Sequence, residues 1–572
     1  MSLSYQFKLG KHEKQYSEGM KQIAESKFLQ RLWMKDGSLW SDDPAHHAVA
    51  LNRLGWLDLP SRMKHQVREI EEFANENVFR KFTHVVHLGM GGSSLAPEVF
   101  FRTFGSAADF PELIVLDSTD PDQIDNVLKA IRLDSTLFIV ASKSGTTIET
   151  SSLAKFFYGK LAQSNPVTVH EHFVAVTDAG TALNSQSDKE YFKTFLNPQD
   201  IGGRYSALSL FGIVPFALLG KDATRFLALS EEQEKACAAG MDETSCGPVK
   251  LGTLLGKLAD SGIDKLTIQT SPSLSTVGWW IEQLVAESTG KEGKGILPVA
   301  GEELTASSLY SRDRVFVYMK LRGEIDLDKE EQLKALEKNE FPVVAIEIDD
   351  LYDLGGLFYN WEIATAAAAS IIRIDPFDEP NVKESKDNTK RVLDEFKVSG
   401  KMSAGGGSAQ GSDFDSSPLA KGESKVYGNV VGGNSATETL INLFAGRKHG
   451  DYLAIMAYMP RTADTTKYFA SLQSSLRDRL RIPVTIGFGP RFLHSTGQFH
   501  KGGTKNGIFL QLVHEPQDDF AIPGETYSFK NLFRAQAIGD FVSLKSKEKP
   551  VVSIVLNGDA ILQLDEIFKR II

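Results

Sequence analysis

Two glycine- and hydroxyl-rich stretches, each directly behind a short β-branched run, hold the densest hydrogen-bonding chemistry in the chain. The first, Gly89-Met90-Gly91-Gly92-Ser93-Ser94-Leu95-Ala96-Pro97, follows Val85–Leu88. Glycines there let backbone N–H groups approach an anion, and a helix starting behind them adds its positive end. The order is not G-x-G-x-x-G, so a dinucleotide fingerprint is not met; a tight strand-to-helix turn without a ligand accounts for the same residues. The second stretch, Ser142-Lys143-Ser144-Gly145-Thr146-Thr147-Ile148-Glu149-Thr150, follows Leu137–Ala141. Capping a helix needs only one or two hydroxyls. Ser142, Ser144, Thr146 and Thr147 with Lys143 exceed that need and suit a phosphate monoester dianion, which takes many charge-assisted hydrogen bonds. Neither stretch has the G-x-x-x-x-G-K-[ST] order, so Mg-nucleotide chemistry is not expected.

Three further motifs follow in order: Gly202-Gly203-Arg204-Tyr205-Ser206, Gln283-Leu284-Val285-Ala286-Glu287-Ser288-Thr289-Gly290-Lys291, and Phe377-Asp378-Glu379-Pro380-Asn381-Val382-Lys383-Glu384-Ser385-Lys386. Taken singly they are bland: a turn arginine, a helix C-terminus, a lysine on a solvated face. Together with the two loops they resemble the glucose-6-phosphate isomerase family and its sugar-phosphate isomerase (SIS) fold. RLGWLDLP near residue 53 and FLHSTGQFHKGG near 492 are most similar to the isomerase part of fused transaldolase/glucose-6-phosphate isomerases, although no transaldolase-like region is present.

The resemblance implies reversible interconversion of glucose 6-phosphate and fructose 6-phosphate through ring opening and a cis-enediol, without metal or organic cofactor. It implies that Gly92, Ser93, Ser142, Lys143, Ser144, Gly145, Thr146 and Thr147 hold the phosphate. Gly203 and Gln283 would contact the sugar, Glu287 would be the base, Arg204 would stabilise the enediolate, and Lys386 would assist ring opening. The family's ring-opening histidine lies between that glutamate and that lysine, yet no histidine occurs between His172 and His449. His494, in Leu-His-Ser-Thr-Gly-Gln, takes the role in this reading, with His500 in reserve. His84 and His87 read as packing residues and His46 and His47 as surface. A homodimer, cytoplasmic location and a transaldolase partner are further implications. The alternatives are a dual phosphoglucose/phosphomannose isomerase and a non-catalytic sugar-phosphate sensor, which would not need Gln283, Glu287, Arg204 and Lys386 together.

The elements that must position these residues are α/β. Val85–Leu88, Leu113–Leu116, Leu137–Ala141 and Phe173–Thr177 are continuous apolar runs, the pattern of parallel strands buried on both faces. Leu266–Thr270, Val315–Leu321 and Val343–Ile348 form a second set, followed by an alanine-rich helix at Tyr359–Ile372. Leu453–Tyr458, Val484–Phe488, Ile508–Val513 and Val551–Leu556 form a third that faintly echoes the second, with Phe529–Val542 answering Tyr359–Ile372. The expected organisation is a helical segment (1–75), a first doubly wound, Rossmann-like SIS domain (76–235), a second (236–398), a Gly/Ser-rich linker (399–428) and an appended C-terminal α/β domain (429–572).

Composition agrees with this class. The 572 residues are 42% apolar and 24% charged, enough apolar surface to offset chain entropy along most of the length. A formal charge of −11 leaves no global basic field for nucleic acid, so an anionic substrate needs a local donor cluster. Two cysteines, Cys237 and Cys246, exclude a disulfide framework and a cysteine zinc site. Ala207–Gly220 is the longest apolar run, broken by Ser209, Gly212 and Pro215 and too short to span a bilayer.

Overall fold

The computed structural model describes residues 3–76, 81–400, 402 and 424–572. Its first strand, β1 (Leu3–Lys8), lies inside the segment expected to be helical; its side chains alternate between buried and open, and it pairs antiparallel with a strand some 340 residues later. The reason is tertiary, since an edge strand six residues long forms only where a sheet offers it a partner.

The apolar runs form the parallel strands expected of them. β2 (His84–Gly89), β3 (Glu112–Leu116), β4 (Thr136–Ala141), β5 (Phe173–Asp178) and β6 (Lys193–Asn197) make a wholly parallel sheet in the order β3-β2-β4-β5-β6. β7 (Lys265–Thr270), β8 (Leu297–Val299), β9 (Arg314–Leu321) and β10 (Val343–Ile348) join β1 in the order β1-β10-β9-β7-β8. β11 (Lys425–Gly428), β12 (Tyr452–Tyr458), β13 (Val484–Phe488), β14 (Gly507–His514) and β15 (Val551–Leu556) lie in the order β11-β15-β14-β12-β13. All three sheets therefore share a parallel core in which the second strand lies outside the first and the third and fourth follow on the other side. The second and third sheets also carry one antiparallel edge strand each, β1 and β11. The echo between them holds for strand order but not for the two helices: Leu354–Ile372 follows β10, whereas Phe529–Ser546 precedes β15.

Elements of the fold cover two of the expected boundaries. β11 begins at Lys425, inside the expected 399–428 linker; residues 403–423 of that Gly/Ser-rich run lie outside the described residues. The boundary expected between 235 and 236 falls inside helix Ala223–Ala236. Helices Ala223–Ala236 and Gly247–Asp260 bury Cys237 and Cys246 in one hydrophobic core that runs continuously from the first sheet to the second. The third unit packs on both others. Helix Phe529–Ser546 joins the core of the first sheet through Phe529, Leu532 and Ala535, while Tyr452, Phe499 and Phe509 enclose Ala286, Leu297 and Val299 of the second. No described helix is long and apolar enough to cross a membrane.

Candidate active site

The carboxyl ends of β2 and β4 open onto a common cavity, as the crevice rule for open α/β sheets requires. After β2, Gly91 has φ +54°, and a Cβ there would stand 2.7 Å from the His494 carbonyl oxygen and 2.9 Å from Gln283 Nε2. A Cβ on Gly92 would stand 2.0 Å from the Gly203 carbonyl oxygen. Only glycine lets the first loop, the Gly-Gly-Arg turn, the Gln283 helix and the His494 segment meet at this distance. His87, buried with its Nε2 2.5 Å from the Ser93 carbonyl oxygen, braces the same loop, and burial pushes its pKa down to about 4.

After β4 the hydroxyl loop enters helix Ile148–Ser164 with Thr147 at its N-cap. Ser142 Oγ donates to Thr147 Oγ1 at 3.1 Å, and Ser144 Oγ and Thr146 Oγ1 are 3.0 Å apart. Lys143 is ion-paired with Asp178 and donates to the Gln199 carbonyl at 3.1 Å. Gly145 turns the loop at φ +66°, with Thr181 packed against its Cα.

Helix Val277–Thr289 places Gln283 and Glu287 one turn apart on a buried face. Gln283 Nε2 donates to Glu287 Oε2 at 3.1 Å and to the His494 carbonyl at 2.7 Å. Burial pushes the Glu287 carboxyl above its ordinary range; the Arg204 guanidinium opposes the shift and Glu379 reinforces it. Arg204 is itself buried and pinned from four directions: Nε donates to Ser288 Oγ at 2.9 Å, Nη1 to Glu379 Oε2 at 3.0 Å, and Nη2 to the Pro376 and Asp378 carbonyls at 2.5 and 2.9 Å. Those bonds use four of its five N–H groups. The fifth is on Nη1, 3.8 Å from Glu287 Oε1.

His494 closes the ring of groups from the third unit, its Nε2 3.0 Å from Glu149 Oε1. Burial would raise the Glu149 pKa, but the charges of His494 and Lys386 outweigh it and hold the carboxyl below its ordinary range. Gly91, Gly92, Ser93, Lys143, Ser144, Thr147, Gly203, Arg204, Gln283, Glu287, Lys386 and His494 all line one cavity of about 520 Å³. Lys386, exposed on helix Pro380–Ser399, and His494 also border a second chamber of about 580 Å³. Thr146 faces that chamber rather than the first, and Ser142 and Gly145 support the loop without lining either.

His500 does not belong here. It is buried against Tyr452, Phe492 and Phe509, neither ring nitrogen has a hydrogen-bond partner, and burial drives it far towards the neutral form. His46, expected at the surface, is half-buried with Nδ1 2.9 Å from Asp375 Oδ2. With Asp378 it forms one of two carboxylate–histidine clusters among the described residues that could take a cation, the other being Asp120, Asp122 and His514; neither contributes to the cavity lining. Glu149, Glu379 and Gln536 are members of the constellation that sequence reasoning did not assign. Glu149 and Glu379 stood inside quoted motifs, whereas Gln536 carried no signal.

Residues 58–293, which carry both loops, Arg204, Gln283 and Glu287, match the family model described as phosphoglucose isomerase. This part of the chain is similar to that family. The glucose-6-phosphate isomerase of Methanocaldococcus jannaschii is 26% identical over 349 residues, covering 54% of this chain and 84% of its own. That of Pediococcus pentosaceus is 28% identical over 391 residues, covering 59% and 86%. Among solved structures, a hypothetical protein from Thermus thermophilus superposes with a TM-score of 0.58 at 23% identity over 68% of this chain and 99% of its own. A glucose-6-phosphate isomerase from Chlamydia trachomatis does so with 0.51 at 20% over 69% and 89%, which shows a shared fold. The phosphoglucose isomerase match ends before Lys386 and His494, so those two groups rest on geometry.

Proposed function

We propose that the chain is a glucose-6-phosphate isomerase, interconverting D-glucose 6-phosphate and D-fructose 6-phosphate. The observation that carries this reading is the meeting of Glu287, Arg204, Gln283, Lys386 and His494, drawn from all three units, in the cavity that the hydroxyl loop borders.

The phosphate sits against Ser93, Lys143, Ser144 and Thr147 at the N-terminus of helix Ile148–Ser164, where backbone N–H groups and the helix dipole favour a dianion. Lys143 exchanges its contact with Asp178 for a phosphate oxygen. Held there, the sugar reaches inwards, and binding energy at the remote phosphate orients the reacting carbons. His494 and Lys386 act at the ring oxygen and O1: one takes the hydroxyl proton while the other gives a proton to the ring oxygen, opening the hemiacetal. Glu287 then removes the proton from C2 and returns it to C1 on one face of the enediol. Its raised pKa suits both halves of that exchange, because a stronger base removes the proton more readily. The spare Nη1 hydrogen of Arg204, beside Glu287, donates to the enediolate oxygen as charge develops there.

A coupled assay of the purified chain with fructose 6-phosphate tests the reading, with mannose 6-phosphate as a second arm for the dual activity. Conversion to glucose 6-phosphate is expected, and phosphate binding without turnover would instead favour the sensor. The homodimer and the transaldolase pairing are proposals too, tested by sedimentation of the chain alone and with a transaldolase.

A further inference from the structure

The His494–Glu149 contact has a support that comes from the third unit and lies outside every motif. Gln536, buried on helix Phe529–Ser546, donates Nε2–H to Glu149 Oε1 at 2.7 Å, and that same oxygen faces His494 Nε2 at 3.0 Å. The amide cannot turn over, because Thr119 Oγ1 donates to its Oε1 at 2.5 Å and a carbonyl turned towards Glu149 would face an acceptor. Thr119, Gln536 and Glu149 are all at most 4% exposed, so water does not compete for these bonds. Lys501, just behind His494 in helix Gly497–Gly502, is ion-paired at 2.6 Å with Asp540, one turn beyond Gln536. This ion pair ties the segment that follows His494 to the Gln536 helix.

We propose that Gln536 is a positioning residue for ring opening: held by Thr119, it fixes the Glu149 carboxylate so that His494 keeps Nε2–H on Glu149 and presents Nδ1 as the nitrogen that exchanges protons. The inference rests on the isomerase reading. A carboxylate with one neutral donor and one imidazole on the same oxygen holds that imidazole in a single tautomer and orientation, the service a buried carboxylate gives a catalytic histidine. The charged groups facing this pair are Lys386 across the cavity and Glu287 on the His494 side. Neither is altered by a change at 536.

Gln536→Glu keeps shape and volume but sets a second carboxyl beside Glu149, so the two must share a proton and Glu149 loses its hold on the imidazole. The expected result is a kcat on glucose 6-phosphate lower by roughly 10- to 100-fold, with KM little changed and with undiminished turnover of an open-chain analogue that cannot cyclise. Imidazole 15N shifts are expected to show the His494 ring losing its single tautomer. Thr119→Val, which frees the amide to turn, should give a smaller loss of the same kind and serves if the first variant fails to fold. Unchanged kcat and an unchanged His494 tautomer would overturn the proposal, and so would an equal loss on both substrates, which marks a structural defect. An inactive parent chain overturns the isomerase reading instead, while the imidazole 15N shifts still decide whether Gln536 acts on His494 through Glu149.

Discussion

As the proposed base, Glu287 must be ionised to take a proton from C2, yet it is 6% exposed, in surroundings that penalise the charge. Its pKa lies above the ordinary carboxylate range, so activity should fall as pH drops through that raised value, before an exposed glutamate would titrate. The same shift sets the sign for stability: the folded state binds a proton that the unfolded state releases, so stability declines as pH rises above the unfolded value. Glu287→Gln should therefore abolish exchange of solvent tritium into product, a loss of about 100-fold or more, while raising Tm at neutral pH and not in acid. At the phosphate end, Ser142→Ala with Thr147→Ala removes two hydroxyls bonded to each other. Thr147 then loses its bond to the anion, which costs roughly 1.5–3 kcal/mol, and Ser142 loses only its bond to Thr147, so KM for fructose 6-phosphate should rise with little change in kcat. Glu149 stood in the quoted SKSGTTIET stretch without a role because its partner, His494, lies 345 residues away.

The elements that carry these residues bind one another through glycines and through a helix buried along nearly its whole length. In Gly92→Ala the new methyl would need the space of the Gly203 carbonyl at 2.0 Å. Overpacking of that kind costs about 1–3 kcal/mol, and the Gly-Gly-Arg turn can yield only by moving Arg204. A drop of several degrees in Tm together with loss of turnover is expected. Helix Leu354–Ile372 buries Glu362, whose Oε1 has no partner and whose carboxyl burial pushes well above the ordinary range. An unsatisfied buried polar group costs about 1–3 kcal/mol, so Glu362→Met should stabilise the fold by an amount of that order. The gain is largest above the ordinary carboxylate pKa and shrinks in acid, where the unfolded chain also holds the proton; urea denaturation at several pH values reads it. Continuous apolar runs made the central strands legible. β1, β6 and β8 were not, because they are short or half-open edges whose stability comes from the neighbouring strand.

At the scale of the whole molecule, the third unit is clamped to the first by charge. Buried Glu98 takes Arg461 Nη2 at 2.6 Å and Arg491 Nη1 at 2.5 Å, and Arg491 also reaches Asp117 at 3.0 Å. Burial alone would raise the Glu98 pKa, but the two guanidiniums hold it at about 2. That stabilisation is complete above the ordinary value of 4.5 and is lost as pH falls towards about 2. Arg491→Ala removes one partner of a buried pair, which costs about 3–5 kcal/mol; chemical denaturation should show that loss at neutral pH and a smaller one in acid. A chain ended at Val398 loses His494 and Gln536 together and bares Val392 and Leu393, which the third unit helps cover. It should be inactive on cyclic sugar even where it folds.

Local chemistry alone determined the two loops, the Gly-Gly-Arg turn, the Gln283–Glu287 spacing and the parallel strands. Each is written within a dozen residues, and continuous apolar runs, glycine approach and helical spacing are short-range rules. The units' shared core, the β1 and β11 edges and the exclusion of His500 were decided by packing between segments far apart in sequence. His494 shows both sides: its wording marked it, but whether it reached the site depended on where the third sheet docks. In that unit it lies between β13 and β14, the slot that 300–313 fill between β8 and β9 of the second. Gln536 had no mark at all, because a buried glutamine has a role only through the donor and acceptor that the fold brings to either end of its amide.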